Sequence, residues 1–479
     1  MQTKRRLSAT WDLAVCISDE TQGNRGKDGR IQWRTFTNLL GVVLAGSCFG
    51  GSANAGSGFF LRSQSTTTLG TAHAGSTASA QDISQMGFNP AILTRMTGQQ
   101  LVGGTTVIAT RAKFDPDGAS TVLSTPIPGN DGGDAGTVAP IPYLYAMWDV
   151  SPDFKLGLAA SSYFGLSSEW DDDWVGRYHA LKSELVSFNL NPAMAYRINP
   201  KISIGFGLQA QYADIDVTSA LDFGTIDQVL LGGAGGGVPG GSDGRLEVKA
   251  NDWAYGVTAG LLLELDENTR LGVGYRSGLS HKLQGDAKFS YGGSVGQTVS
   301  DLIGAFVDTR VKSDFDLPDT VTFGFHHDID KAWSVMGDVM WMNWSRQNES
   351  LLQFENPAQP DQATEQDWND SWFVALGTAY RLTDSWTLRV GAAYDQSPIP
   401  GDTRTPVIPD EDSYWLSIGA SYSPLPNLVV DLAYGHLFTK KAKINLADSD
   451  TGSTFRGNLS GEVNNNNVDY LSIQATYRF

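Results

Sequence analysis

The sequence predicts an all-β fold: a fourteen-stranded antiparallel transmembrane β-barrel with a small N-terminal hatch, or plug, inside its lumen. Three observations carry the barrel in this expectation. Several segments alternate apolar and polar residues, with aromatic rings at both ends of the apolar face. Short turns alternate with long loops along the chain. No run of 18 or more apolar residues occurs, which leaves strands rather than helices to cross a membrane.

The closing segment "YLSIQATYRF" puts Leu471, Ile473, Ala475, Tyr477 and Phe479 on one face and Ser472, Gln474, Thr476 and Arg478 on the other. Period two marks a strand with two different environments. "YWLSIGASY" repeats the pattern, with Tyr414, Leu416, Ile418, Ala420 and Tyr422 facing one way and Trp415, Ser417 and Gly419 the other. "WTLRVGAAY" does the same from Trp386 to Tyr394, with Arg389 on the polar face. Rings at both ends of an aliphatic middle suit the two interfaces of a membrane.

Six short turns recur: "SPD" at 151–153, "NPK" at 199–201, "DEN" at 266–268, "DID" at 328–330, "TDS" at 383–385 and "LPN" at 425–427. Seven long polar or Gly-rich stretches separate them, near 113–138, 166–182, 216–245, 286–310, 347–368, 398–411 and 440–466. This arrangement implies fourteen strands with both ends on the short-turn side. An even count closes the sheet without an open edge.

Ahead of the barrel, which spans residues 99–479, residues 1–55 read as leader and signal peptide. Arg34 gives positive charge, Leu39 to Ala45 an apolar core, and Ala53-Asn54-Ala55 a cleavage site, so the mature chain would begin at Gly56. A lipoprotein site at Cys48 is the rival reading. The polar residues 1–30 fit an overextended translation start or a genuine extended leader. Both cysteines, Cys16 and Cys48, fall in this part, and no disulfide framework is expected beyond it. The chain carries a net charge of −18; beyond Ala55, 27 basic residues face 48 acidic ones, a net of −21, which argues against nucleic-acid binding.

Residues 56–98 are rich in small residues, with a helical look from Ala74 to Met86 and a bend at Asn89-Pro90, where proline removes a donor and restricts its neighbour. They read either as a flexible leader or as a plug packed in the lumen. Two long loops are unusually apolar: "TIDQVLLGG" offers Ile226, Leu230 and Leu231, and "VSDLIGAFVDTR" offers Leu302, Ile303 and Phe306 at helical spacing. They are candidates for capturing a hydrophobic ligand outside the membrane, or else loop helices packed on the rim. Arg276, Arg389 and Lys282 are candidate lumenal cations by strand placement.

"LGTAHAGSTASAQDISQMGFNPA" resembles the hatch of the FadL-type long-chain fatty acid transporters of Gram-negative outer membranes, ending in Asn89-Pro90-Ala91. "NDWAYGVTAGLLLELDENTRLGVGYRS", residues 251–277, resembles that family's central hairpin, and "RTPVIPDEDSYWLSIGASY", residues 404–422, its late Ile-Pro-Asp motif. The resemblance implies a hatch-blocked barrel in the outer membrane, likewise a monomer, passing long-chain fatty acids or, in some branches, aromatic and other hydrocarbons. It implies capture between external loops, a lumenal pocket, and lateral exit past a kinked third strand as the hatch, with Phe88, Asn89, Pro90 and Ala91, moves. No energy source or cofactor is implied. Its carboxylate-binding cation after the fifth strand has no counterpart in "YADIDVTSALDFG", and Ser413 stands where many members carry Arg. The terminal rings of Tyr477 and Phe479 resemble the signal read by the barrel assembly machinery. Outer-membrane lipid and lipopolysaccharide would surround the wall.

An enzyme is disfavoured, because no nucleophile motif surrounds any of the six histidines. His326-His327 sits on a strand with one ring facing each way, unlike a metal pair. "DDDW" at 171–174 reads as a solvated acidic loop rather than a Ca²⁺ site. A plugged lumen argues against a general porin.

Overall fold

The computed structural model describes residues 57–447, 455–464 and 466–479. The leader and signal-peptide reading of residues 1–55 lies outside them. Nineteen strand segments form one antiparallel sheet that closes on itself. Five of the fourteen spanning strands are in two pieces, which reconciles nineteen segments with the fourteen expected. The first strand, Gln100–Thr110, pairs with the last, Val468–Arg478, from Gln100 opposite Arg478 to Thr110 opposite Val468. This register closes the barrel, so no edge is left to be satisfied in lipid.

The faces follow the alternation. On Ser413–Leu425, Leu416 and Ile418 are exposed while Trp415 and Ser417 are buried. On Val468–Arg478, Leu471, Ile473 and Tyr477 point outward, and Ser472, Gln474 and Thr476 point inward. Phe479 is exposed and its ring meets Tyr477 at the short-turn rim.

The third spanning strand is interrupted. Its pieces are Phe154–Ser161 and Gly165–Glu169. The lower piece pairs with the second and fourth strands, whereas the upper pairs with the fourth. Opposite it, Val138–Tyr143 of the second strand pairs with the first strand. The wall therefore lacks a ladder between these two segments among the described residues. Pro140 and Pro142, which have no N–H to offer, stand on the second-strand stretch that borders this gap.

Residues 57–98 are almost wholly buried. A short helix, α1 (Thr66–Leu69), is capped by Ser65 and touches the last three spanning strands. Two 3₁₀ turns follow, Ile83–Gly87 and Pro90–Arg95. Ala74 to Met86 is not the expected helix: Gly75 and Ala80 adopt left-handed φ of 80° and 50°, which breaks it into turns. Wall glycines let this segment's backbone approach closely. A methyl group at Gly260 would overlap Asn89 Oδ1, so the small residue in "VTAGLLLEL" is a packing requirement.

Outside the barrel, Lys113–Ser120, Ala442–Leu446 and Asn458–Asn464 form a three-stranded sheet. It packs with stacked Trp170 and Trp174, 4.5 Å apart. Two loop helices complete the outer end, α2 (Phe223–Leu231) and α3 (Ser294–Ile303).

Candidate functional site: a loop-capped cavity above the N-terminal segment

The expected apolar loops become α2 and α3, and they pack on each other. Phe223, Ile226, Val299 and Phe306 form their buried core, with Leu231 and Ile303 partly buried against it. Leu230 and Leu302 instead remain 48% and 62% exposed. The six loop residues thus divide into a core and an outward-facing pair.

Beneath the helices lies a pocket of about 80 Å³, lined by Ile226, Phe306, Leu221 and Phe455. It adjoins a larger cavity of about 230 Å³; Ser219, Gln362 and Arg456 line both. The larger cavity is walled by Ile215, Val248, Leu352, Trp368, Ile399 and Ile408, with His179 and several hydroxyls among them. Burial holds the His179 imidazole down to about 3, helped by the like charge of Arg456, so the ring is neutral at physiological pH.

The Trp368 ring lines the cavity, and further aromatic rings pack behind it. Trp368 packs 5.0 Å from Trp344 and 5.6 Å from Phe59 of the N-terminal segment. Phe59 in turn meets Phe164, at the break in the third strand, 6.0 Å away. The same segment supplies backbone partners that the broken strand lacks. The Leu61 N–H donates to Tyr163 O at 2.8 Å, and the Gly165 N–H donates to Phe59 O at 3.1 Å. Gln64 Nε2 donates to Ser162 O at 2.7 Å. Phe60 faces Phe164 in an antiparallel bridge.

This end of the segment is tied down by charge. Arg62 bonds Asp395 at 3.1 Å with both side chains buried, and its guanidinium lies over the Phe373 ring. Gly58 N–H donates to Asp410 Oδ2 at 2.8 Å. Asp410 is the aspartate of the Ile-Pro-Asp motif, and Ile408 beside it lines the cavity. The motif therefore links cavity wall and N-terminal segment.

Asn89 and its neighbours lie at the other end, away from the cavity. Asn89 Oδ1 accepts the Ala91 N–H at 3.0 Å, capping the turn that Pro90 opens. Its Nδ2 donates to Thr77 O at 2.8 Å and to Leu261 O of the sixth strand at 3.0 Å. Phe88, Pro90 and Ala91 are buried around it.

The lumenal arginines sit elsewhere than in the cavity. Arg276 lies 3.7 Å over the Tyr163 ring, donates to Gly87 O at 3.0 Å and bonds Gln209. Arg389 donates to Gln81 Oε1 at 2.7 Å and Ser421 Oγ at 2.5 Å, with Asp431 at 3.6 Å. Both hold residues of the wall to the N-terminal segment. Lys282 is exposed on the outer face. Sequence reasoning missed Trp368, Arg456 and His179, all in loops; only the motif around Ile408 carried a signal.

Of the other candidates, His326 bonds Asp328 at 2.9 Å and His327 bonds Thr269 at 3.0 Å. In "DDDW", Asp172 pairs with Arg245 and Trp174 is buried in the loop core. No group of three His, Cys, Asp or Glu side chains suited to a metal occurs among the described residues.

The chain is similar throughout to proteins of known type. Outer membrane protein P1 of Haemophilus influenzae is 32% identical over 422 residues, covering 82% of this chain and 88% of that one. The long-chain fatty acid transport protein of Escherichia coli K12 is 28% identical over 411 residues, covering 81% and 89%. Among solved structures, a Pseudomonas aeruginosa FadL homologue superposes with a TM-score of 0.81 at 24% identity, covering 88% of this chain and all of the other. The Pseudomonas putida toluene transporter TodX gives 0.63 at 18% identity, covering 88% and 99%. The model of one family matches residues 46–479, and the chain belongs to it: the outer membrane protein transport proteins of the OMPP1/FadL/TodX type.

Proposed function

We propose that this protein carries long-chain hydrophobic compounds, fatty acids foremost, across the outer membrane by energy-independent diffusion. Leu230 and Leu302 on the loop helices capture the ligand, and Ile226 and Phe306 pass it inward. The larger cavity then holds it above the N-terminal segment, residues 56–98, which acts as the hatch. Exit is lateral, through the wall between the second and the broken third strand, once Phe59–Gln64 withdraws.

The observation that carries this reading is the continuity of Trp368, Phe59 and Phe164. One segment both packs behind Trp368, which lines the cavity, and covers the wall beside the broken strand. Burial of ligand CH₂ groups at about 0.8 kcal/mol each gives capture without any coupled energy source. The names of the relatives support fatty acids. Aromatic hydrocarbons are the second reading, favoured by the Trp344, Trp368 and Phe59 rings and by the toluene transporter among the similar folds.

The test is uptake of labelled oleate and of toluene by cells deleted for the gene, with and without the chain supplied in trans. Faster entry of oleate supports the first reading and of toluene alone the second. Equal entry of both, with and without the chain, ends the transport proposal.

A further inference from the structure

The two connected cavities meet at a cation that no spanning strand supplies. Arg456 comes from the long connection before the fourteenth strand and is half-buried. It reaches Gln362 Oε1 at 3.3 Å and Thr364 Oγ1 at 3.5 Å, and no carboxylate pairs with it among the described residues. Other buried arginines of the outer half are matched: Arg62 with Asp395 at 3.1 Å, Arg177 with Asp243 at 2.7 Å, Arg404 with Glu411 at 2.7 Å. Two long contacts to neutral oxygens return little of the cost of desolvating a guanidinium. A second polar group waits beside it. His179, nine-tenths buried, lines the larger cavity with Nε2 unpartnered.

The acids near the junction are already engaged. Asp222 accepts the N–H groups of Thr225 and Gly240 at 2.9 Å each, and Asp361 accepts that of Phe354 at 2.9 Å. The larger cavity that Arg456 lines also has apolar walls, at Val248, Leu352, Trp368 and Ile399. The enclosure is therefore amphipathic, with one positive charge, shared by both cavities, that no carboxylate matches among the described residues.

We propose that Arg456 is the specificity-determining residue of this pathway, taking the carboxylate of an amphiphile at the junction of the two cavities while the tail enters the apolar one. The inference rests on the transport reading above and deepens it to a substrate class: single-headed anions are preferred over neutral hydrocarbons. A guanidinium can offer a carboxylate two parallel N–H···O bonds, which an alkane or arene cannot accept. The neutral His179 adds a polar neighbour without a competing charge.

The experiment compares oleate, oleyl alcohol and toluene uptake at subsaturating concentration in deleted cells carrying the full chain, Arg456→Gln or Arg456→Lys. Heat-modifiable mobility confirms that each barrel is assembled. The expected result for Arg456→Gln is an oleate uptake lower by about tenfold, of the order of one charge-assisted bond, with toluene unchanged. Arg456→Lys restores part of it. The unsubstituted chain also prefers oleate to oleyl alcohol, which shares the tail and lacks the charge, so a misfolded variant does not protect the inference. Equal oleate uptake by the unsubstituted chain and Arg456→Gln, equal loss of oleate and toluene, or no preference over oleyl alcohol overturns it. Toluene entry without oleate entry sinks the inference and leaves the transport reading standing. Entry of none of the three sinks both.

Discussion

The Trp368 ring stands 5.6 Å from the Phe59 ring, and the first lines the cavity while the second belongs to the segment that covers the broken strand. A ligand pressing on Trp368 thus presses on the cover. The two-state element this coupling needs is Phe59–Gln64, held to the wall by few backbone bonds. Locking it should stop transport without altering capture. Phe60 and Phe164 face each other in an antiparallel bridge, where Cα atoms lie about 4.5–5.5 Å apart, within disulfide range. Phe60→Cys with Phe164→Cys is expected to lose oleate uptake when oxidised and regain it on reduction. Undiminished uptake by the crosslinked protein would show that this segment does not gate.

Asn89 makes a different prediction from the one its bend invites. Its Oδ1 caps a turn and its Nδ2 bridges Thr77 O and Leu261 O, so it fastens the segment to the sixth strand. Asn89→Ala removes the cap and leaves two buried carbonyls short of a donor, a cost of about 2–3 kcal/mol. Hydrogen exchange should accelerate across Thr77–Arg95 while the barrel strands stay protected. If exchange there is unchanged, the anchor role is wrong; if the strands loosen too, Asn89 holds the barrel and not the segment alone.

Much of this fold was legible because a lipid wall imposes period two. Leu416, Ile418 and Leu471 could be assigned to the outer face from alternation alone, and the short turns gave the strand count. What escaped was set by distant partners. Arg276 was legible as a lumenal cation, but not its partner Gly87 O, 189 residues away, which holds it apart from the cavity. Five broken strands left little local signal beyond prolines such as Pro318. Trp368 and Arg456 sit in polar loops whose composition reads as solvent surface, and only folding places them over the lumen. The Ile-Pro-Asp motif was visible as a pattern, but its tie to Gly58 joins residues 352 apart.

That tie is expected to make the hold on the N-terminal segment depend on pH. Asp410, in the loop before the twelfth strand, has its carboxyl pushed up to about 7, chiefly by burial and further by nearby Asp395, against the opposing pull of the Gly58 N–H, Ser397 and Arg404. An unfolded aspartate titrates near 3.9. Folding therefore raises its proton affinity, and the stability that the protonated form allows is full below about pH 4 and falls as pH rises to about 7. Above 7 the penalty is complete and the curve flattens. Protection of Gly58–Gln64 against hydrogen exchange, corrected for the intrinsic rate, should be greater at pH 5 than at pH 8. In Asp410→Asn the side-chain oxygen still accepts the Gly58 N–H but carries no charge at either pH. The difference should vanish in that variant. A pH dependence that survives Asp410→Asn would place the titrating group elsewhere, and protection that increases with pH would reverse the sign assigned to this carboxyl.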